Sequence, residues 1–276
     1  MVLLRHNYYS DLKFKLFIQE LGSHILYDTN GLCLKAIKMF AREVFIDNGV
    51  FHLIKTRKCL DVKELVKYGH KNLKRAISYL PSKDYENIYI VIPDYPYSAE
   101  VNKKAYDVFM KEYGLYYRGI GCKFVYVLHG YWSAVIDGVN ADLIAIPFNT
   151  ITTIPVRELE FKKCWKLDAL TLKYVVTKTV EYAKDFGYNQ FHLLGTTAKT
   201  LQKLFGPVKS KIELIDGTTI SDDFFKYIVS FDTSSYHYNQ DSKSSGYYLI
   251  QRHDFNTVKE FFMKWIKNQP FTIIEW

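Results

Sequence analysis

The sequence predicts an α/β fold: a (β/α)8 TIM-type barrel in one domain over residues 1–276, with an irregular N-terminal part and a C-terminal helix. From residue 87 onward, short β-rich apolar runs alternate with segments of helical spacing. That alternation predicts a parallel sheet with right-handed crossovers. Roughly seven or eight such strands favour a closed barrel over an open sheet, and 276 residues suffice for a barrel-sized core.

The elements follow in order. Ile25–Asp28 and Val44–Ile46 read as strands, and Val62–Leu80 as a helix. Asn87–Pro93 is a β-rich run. Ser98–Tyr113 has helical spacing, with Ser98 as N-cap and Gly114 as the stop. Lys123–Leu128 reads as a strand, Tyr131–Val139 as a short helix or turn, and Leu143–Pro147 as a strand followed by a long connection through Pro155. Leu167–Phe186 is the clearest amphipathic helix, stopped by Gly187. Phe191–Leu194, Lys211–Ile215 and Tyr227–Phe231 read as further strands, with Thr197–Phe205 as a helix and Asp222-Asp223 as a helix start. Tyr238–Gly246 is a polar loop; Tyr247–Gln251 and the amphipathic stretch Asn256–Lys267 complete the chain.

Composition bounds the function. Hydrophobic residues at 48% and charged residues at 24% are ordinary for a globular protein, whereas 23 Tyr and 19 Phe are not. A net charge of +8 favours an anionic partner, nucleic acid first. Cys33, Cys59, Cys122 and Cys164 are scattered without a CxxC pair, which points to reduced thiols in an intracellular protein. Met1–Lys13 carries Arg5 and polar residues where a signal peptide needs an apolar stretch, and no apolar run approaches the ~20 residues of a membrane span. A cytoplasmic protein without membrane contact is the expectation.

Three carboxylates end apolar strands: Asp47 after Phe45-Ile46, Asp94 after Ile92-Pro93, and Asp232 after Ser230-Phe231. In a parallel barrel such ends open on one face, where residues distant in sequence meet. Each also has a plain structural explanation. Asp47-Asn48-Gly49 between apolar runs is a hairpin signal, Asp94 can set a turn, and Asp232 can cap a helix. His129-Gly130 closes another strand, where Gly admits close ligand approach and His offers a hydrogen bond; Asn149 follows the strand ending Ile146-Pro147-Phe148. His192, inside an apolar run, reads as a core histidine. No Walker loop, GxGxxG, HExxH or GxSxG occurs, which argues against NTPase, dinucleotide, zinc-protease and serine-hydrolase chemistry.

Taken in order, these pieces resemble the tRNA-guanine transglycosylase superfamily, especially its DNA-directed, deazaguanine-inserting branch. Asp47-Asn48-Gly49-Val50-Phe51 is similar to that family's D-S-G-x-F motif, with Asn48 in place of Ser. Ile92-Pro93-Asp94 matches the strand ending in a base-recognising Asp. Leu128-His129-Gly130 is similar to the Q-G-G turn, with His129 in place of Gln. Phe191-His192-Leu193-Leu194-Gly195 looks like the h-H-x-x-G strand, and Ser230-Phe231-Asp232-Thr233-Ser234 like the S-x-D-S motif. The resemblance spans about residues 44–240. The family's C-x-C-x-x-C zinc motif is absent, so neither metal nor cofactor is expected, and Ile146-Pro147-Phe148-Asn149 replaces its glycine-rich strand end.

The resemblance implies a base-exchange enzyme acting on DNA or tRNA with a free purine or deazapurine base. Asp232 would be the nucleophile at the anomeric carbon and Asp47 the proton carrier. Asp94, His129, Gly130, Asn149, Phe51 and Ser234 would bind the base. Two rivals stand beside it: a barrel without turnover that binds nucleic acid or assembles with a protein partner, and an unrelated metal-dependent hydrolase.

Overall fold

The computed structural model describes residues 2–4, 14–18, 41–56, 61–78, 87–148, 167–196, 200, 203–204, 212–213, 217, 219–220 and 222–233. Their strands are β1 (Val2–Leu4), β2 (Phe14–Ile18), β3 (Ala41–Ile46), β4 (Asn87–Val91), β5 (Cys122–Val127), β6 (Leu143–Pro147), β7 (Phe191–Thr196), β8 (Ile212–Glu213), β9 (Thr219–Ile220) and β10 (Ile228–Thr233). The helices are α1 (Val50–Thr56), α2 (Val62–Ser78), α3 (Ala99–Phe109), α4 (Leu115–Gly119) and α5 (Ala169–Lys184).

Six strands, β3-β4-β5-β6-β7-β10, form a curled, all-parallel sheet. Strand β2 extends it in parallel beside β3, and β1 pairs antiparallel with both β2 and β10, which closes the order into a barrel. The expected α/β class and parallel, curled sheet are found. The strict strand–helix repeat is not: β1 runs against its neighbours, and the connection from β5 to β6 carries only the 3-10 turn Tyr131–Ser133.

Both faces of the sheet are buried, as a parallel sheet requires. Residues at alternate positions, including Phe45, Tyr89, Val91, Val125, Val127, Leu143 and Ala145, form one apolar cluster inside the curl. The intervening residues Ile46, Ile90, Phe124, Ile144, Ile146, Phe191 and Leu193 belong to a second, larger cluster that also contains Leu65, Val66 and Leu73 of α2, Phe109 of α3 and Val175, Val176 and Val180 of α5. The period of two along each strand thus divides interior from helix layer.

Local chemistry sets the helix ends. Ser98 Oγ caps α3 by accepting from Val101 N at 3.3 Å, and Asp168 caps α5 by accepting from Thr171 N at 2.8 Å. Gly187, with φ +87, follows α5 as expected. Gly114 does not end its helix; it lies in a π-turn, Met110–Gly114, that leads into α4. Asp47-Asn48-Gly49 forms a strand-to-helix junction, not the hairpin that stood as its plain alternative. Asn48 Oδ1 accepts from Val50 N at 2.8 Å, and that bond starts α1.

Tyrosine hydroxyls support the irregular β5–β6 connection. Tyr126, Tyr182 and Tyr188 donate to the carbonyl oxygens of Val135, Ala134 and Val139, and Tyr106 Oη accepts from Asn140 N at 2.6 Å. A buried loop needs such partners for its backbone. Four of the chain's many tyrosines supply them here. The expected elements Ile25–Asp28, Tyr247–Gln251 and Asn256–Lys267 lie outside the described residues, as does most of Thr197–Phe205.

Candidate functional site

The C-terminal ends of β3, β4 and β5 carry a connected set of polar side chains. Asn48, only 1% exposed, follows β3 and donates from Nδ2 to Asp94 Oδ1 at 2.8 Å and to the Ile92 carbonyl at 3.0 Å. His129, also 1% exposed, follows β5 and bonds through Nε2 to Asp94 Oδ2 at 2.6 Å. Both carboxylate oxygens of Asp94 are thereby fixed, while its side chain keeps 18% of its surface open. Asp94 and His129, expected in one site, are in direct contact.

Since an ionised carboxylate only accepts, the His129 proton facing it sits on Nε2. In the neutral ring Nδ1 is then an acceptor. It is buried and has no hydrogen-bond partner among the described residues. An unmade buried hydrogen bond costs about 1–3 kcal/mol, so a donor brought to Nδ1 would be favourably received.

Two more asparagines brace the rim. Asn72 of α2 donates to the Asn48 carbonyl at 2.9 Å. Asn102 of α3, 1% exposed, donates to the Val127 carbonyl and accepts from Tyr95 N, both at 2.9 Å, and so ties the loop after Asp94 to the end of β5. Beyond His129 the backbone is left-handed at Gly130 (φ +94) and again at Tyr131 (φ +54), the one non-glycine residue with positive φ among the described residues. Such strain costs about 1–3 kcal/mol and persists where packing over-determines it. The fully buried Tyr131 ring, with its hydroxyl donating to the Pro147 carbonyl at 2.8 Å, provides that.

The interior below is aromatic. His192 of β7 stacks on Phe45 of β3 with centroids 4.4 Å apart, and Phe45 stacks on Tyr89 at 5.5 Å. His192 Nδ1 bonds Ser230 Oγ at 2.9 Å, so the expected core histidine is one.

The other expected residues stand as follows. Asp47 is half-buried beside Asn48, its Oδ1 3.5 Å from Gly49 N. Phe51 is half-buried in α1. Asp232 lies near the C-terminal end of β10 with its backbone opposite Val2 of β1, in the half of the sheet away from β4 and β5. Asn149 and Ser234 lie outside the described residues. The three bracing asparagines were not expected as site residues; Asn48 entered only as a departure from a motif.

Among the described residues, no three His, Cys, Asp or Glu side chains are grouped to hold a metal ion, and no helix is long and apolar enough to cross a membrane. Comparison of the chain with known protein families, curated proteins and solved structures finds no match.

Proposed function

We propose that the protein is a nucleic-acid base-exchange enzyme that replaces guanine with a deazaguanine-type base in DNA or tRNA, on a (β/α)8-type barrel in which β1 takes the place of one parallel strand. The observation that carries this reading is the orientation of Asp94 by Asn48 and His129 at neighbouring strand ends. A guanine edge presents N1–H and N2–H donors, and the unused lone pairs of the partly open Asp94 carboxylate are the acceptors this rim offers.

Exchange then takes two displacements. The target nucleotide leaves its stack. The Asp232 carboxylate attacks the anomeric carbon, the glycosidic C–N bond breaks, and its electron pair goes to the departing base, which takes a proton from Asp47. The incoming base returns a proton to Asp47, attacks the same carbon and expels the Asp232 carboxylate. The test is to trap the glycosyl–enzyme ester on a labelled oligonucleotide under denaturing conditions. Wild-type protein should form it and Asp232→Asn should not; an adduct that persists in Asp232→Asn refutes the assignment.

A second reading, a barrel that binds nucleic acid without turnover, is favoured by one observation: Asp94 already spends both oxygens on internal partners. Under that reading the oligonucleotide binds and no adduct forms with any donor base.

A further inference from the structure

Away from the strand ends, α2 and the π-turn line an open groove of about 640 Å³. One rim is basic. Lys67, Lys71 and Arg75 are spaced four residues apart, with Lys74 beside them, and all four are exposed. Like charges at that spacing weaken a helix, and among the described residues none of the four has a carboxylate partner. Glu64 is the one acid among the groove's lining residues. The like-charge row weakens the helix slightly, and an anion seated on it would relieve that.

Aromatic rings line the groove beside that row. His70 and Tyr113 stack with centroids 3.8 Å apart and planes within 6°, and both line the groove. Tyr116, 47% exposed, meets His70 edge-on at 6.5 Å. The Tyr117 hydroxyl fixes the imidazole from behind, 3.0 Å from Nδ1 and 3.2 Å from the His70 carbonyl. The wall hangs on the π-turn that carries Tyr113, an interruption often found at functional positions. Burial, then Lys74, hold the His70 pKa below its ordinary value, against an opposing pull from Glu112, so at neutral pH this ring is an uncharged stacking surface.

We propose that this groove binds single-stranded nucleic acid, with successive phosphates along Lys67, Lys71 and Lys74–Arg75 and a base lying against the His70–Tyr113 wall. Four helical residues rise about 6 Å, a step an extended strand can follow from one phosphate to the next. The pairing of a cationic track with a ring surface is what sequence-tolerant binding of single strands requires. An acidic peptide would answer the charges and leave the rings unused. The inference does not rest on the base-exchange reading.

Anisotropy of a labelled oligothymidine across a salt series, with the full chain, tests it. Lys71→Gln/Lys74→Gln should weaken binding at least about tenfold and flatten log K against log salt by about 1.4, at about 0.7 per lost phosphate contact on a single strand. Lys104→Gln/Lys184→Gln, with the same charge change elsewhere, should alter affinity less than about threefold on the same salt argument. Tyr113→Leu should lose about tenfold at unchanged salt slope, because stacking releases no counterions. Circular dichroism confirms that each variant is folded. Equal losses from the two lysine pairs, wild-type affinity in Tyr113→Leu, or competition by polyglutamate as effective as by oligonucleotide at equal charge would each overturn the proposal. Loss of base exchange with these affinities intact would count against the base-exchange reading alone.

Discussion

Gly69, in the middle of α2, lies so close to Pro93 that a Cβ on it would come within 2.6 Å of the proline Cγ and 3.1 Å of Val50 Cγ1. Pro93 immediately precedes Asp94, so this contact seats the carboxylate's own backbone against the helix. By propensity alone Gly69→Ala would stabilise a helix interior by about 1 kcal/mol. Here the added methyl meets a rigid ring, and overpacking of this kind costs about 1–3 kcal/mol. Urea denaturation should show Gly69→Ala less stable than wild type; a gain would mean that Pro93 yields freely.

Asn48 spans two strand ends because its amide offers two donors. Serine, the residue of the resembled motif at this position, has one hydroxyl proton and less reach. Asn48→Ser should leave the buried Ile92 carbonyl or Asp94 without its partner and cost about 1–3 kcal/mol. Equilibrium unfolding measures this, and wild-type stability would show the bridge to be dispensable.

The tyrosines under the β5–β6 connection predict alkaline weakness. Burial first, with neighbouring groups contributing, raises the pKa values of Tyr106, Tyr126, Tyr182 and Tyr188, and burial pushes the Cys122 thiol up to about 12. The fold therefore favours their protonated forms. That stability is fully present below the unfolded values, near 9 for the thiol and 10 for the phenols. It is lost as pH rises beyond them. The urea midpoint should fall steadily from pH 9 to 11; a flat midpoint contradicts the assignment.

His70 carries the opposite sign. Its pKa is lowered by burial and then by Lys74, so the fold favours the neutral ring. The associated stability is present above the unfolded value of 6.5 and is lost as pH falls below it. An NMR titration of the imidazole Cε1–H should place its midpoint below 6.5, and Lys74→Gln should move that midpoint upward. A midpoint above 6.5 would put the Glu112 carboxylate, not burial and Lys74, in control.

Much of the sheet was legible because its signals are local. Leu143–Pro147 is five apolar residues beside a polar connection, and the structure returns it with those bounds. Ser98 and Gly187 punctuate helices by their own chemistry. Gly114 misleads because a π-turn absorbs a glycine that would otherwise stop a helix. Asn48 misleads more deeply. Its Asn-Gly pair signals a hairpin, whereas its partners Ile92 and Asp94 lie 44 and 46 positions away, and no local pattern encodes them. The same holds for the tyrosine hydroxyls, visible in the sequence only as an excess of one residue type.

In the proposed base exchange, Asp94, held by Asn48 and His129, recognises the base. The most direct measurement is incorporation of labelled guanine into DNA and into tRNA by wild-type protein, Asp94→Asn and Asp232→Asn, repeated with a deazaguanine donor. Wild-type protein should incorporate guanine into one of the two polymers and neither variant should, because an amide at position 94 offers the base edge a donor where an acceptor is needed. Incorporation that survives Asp94→Asn, or none by the wild type with either donor, would contradict it.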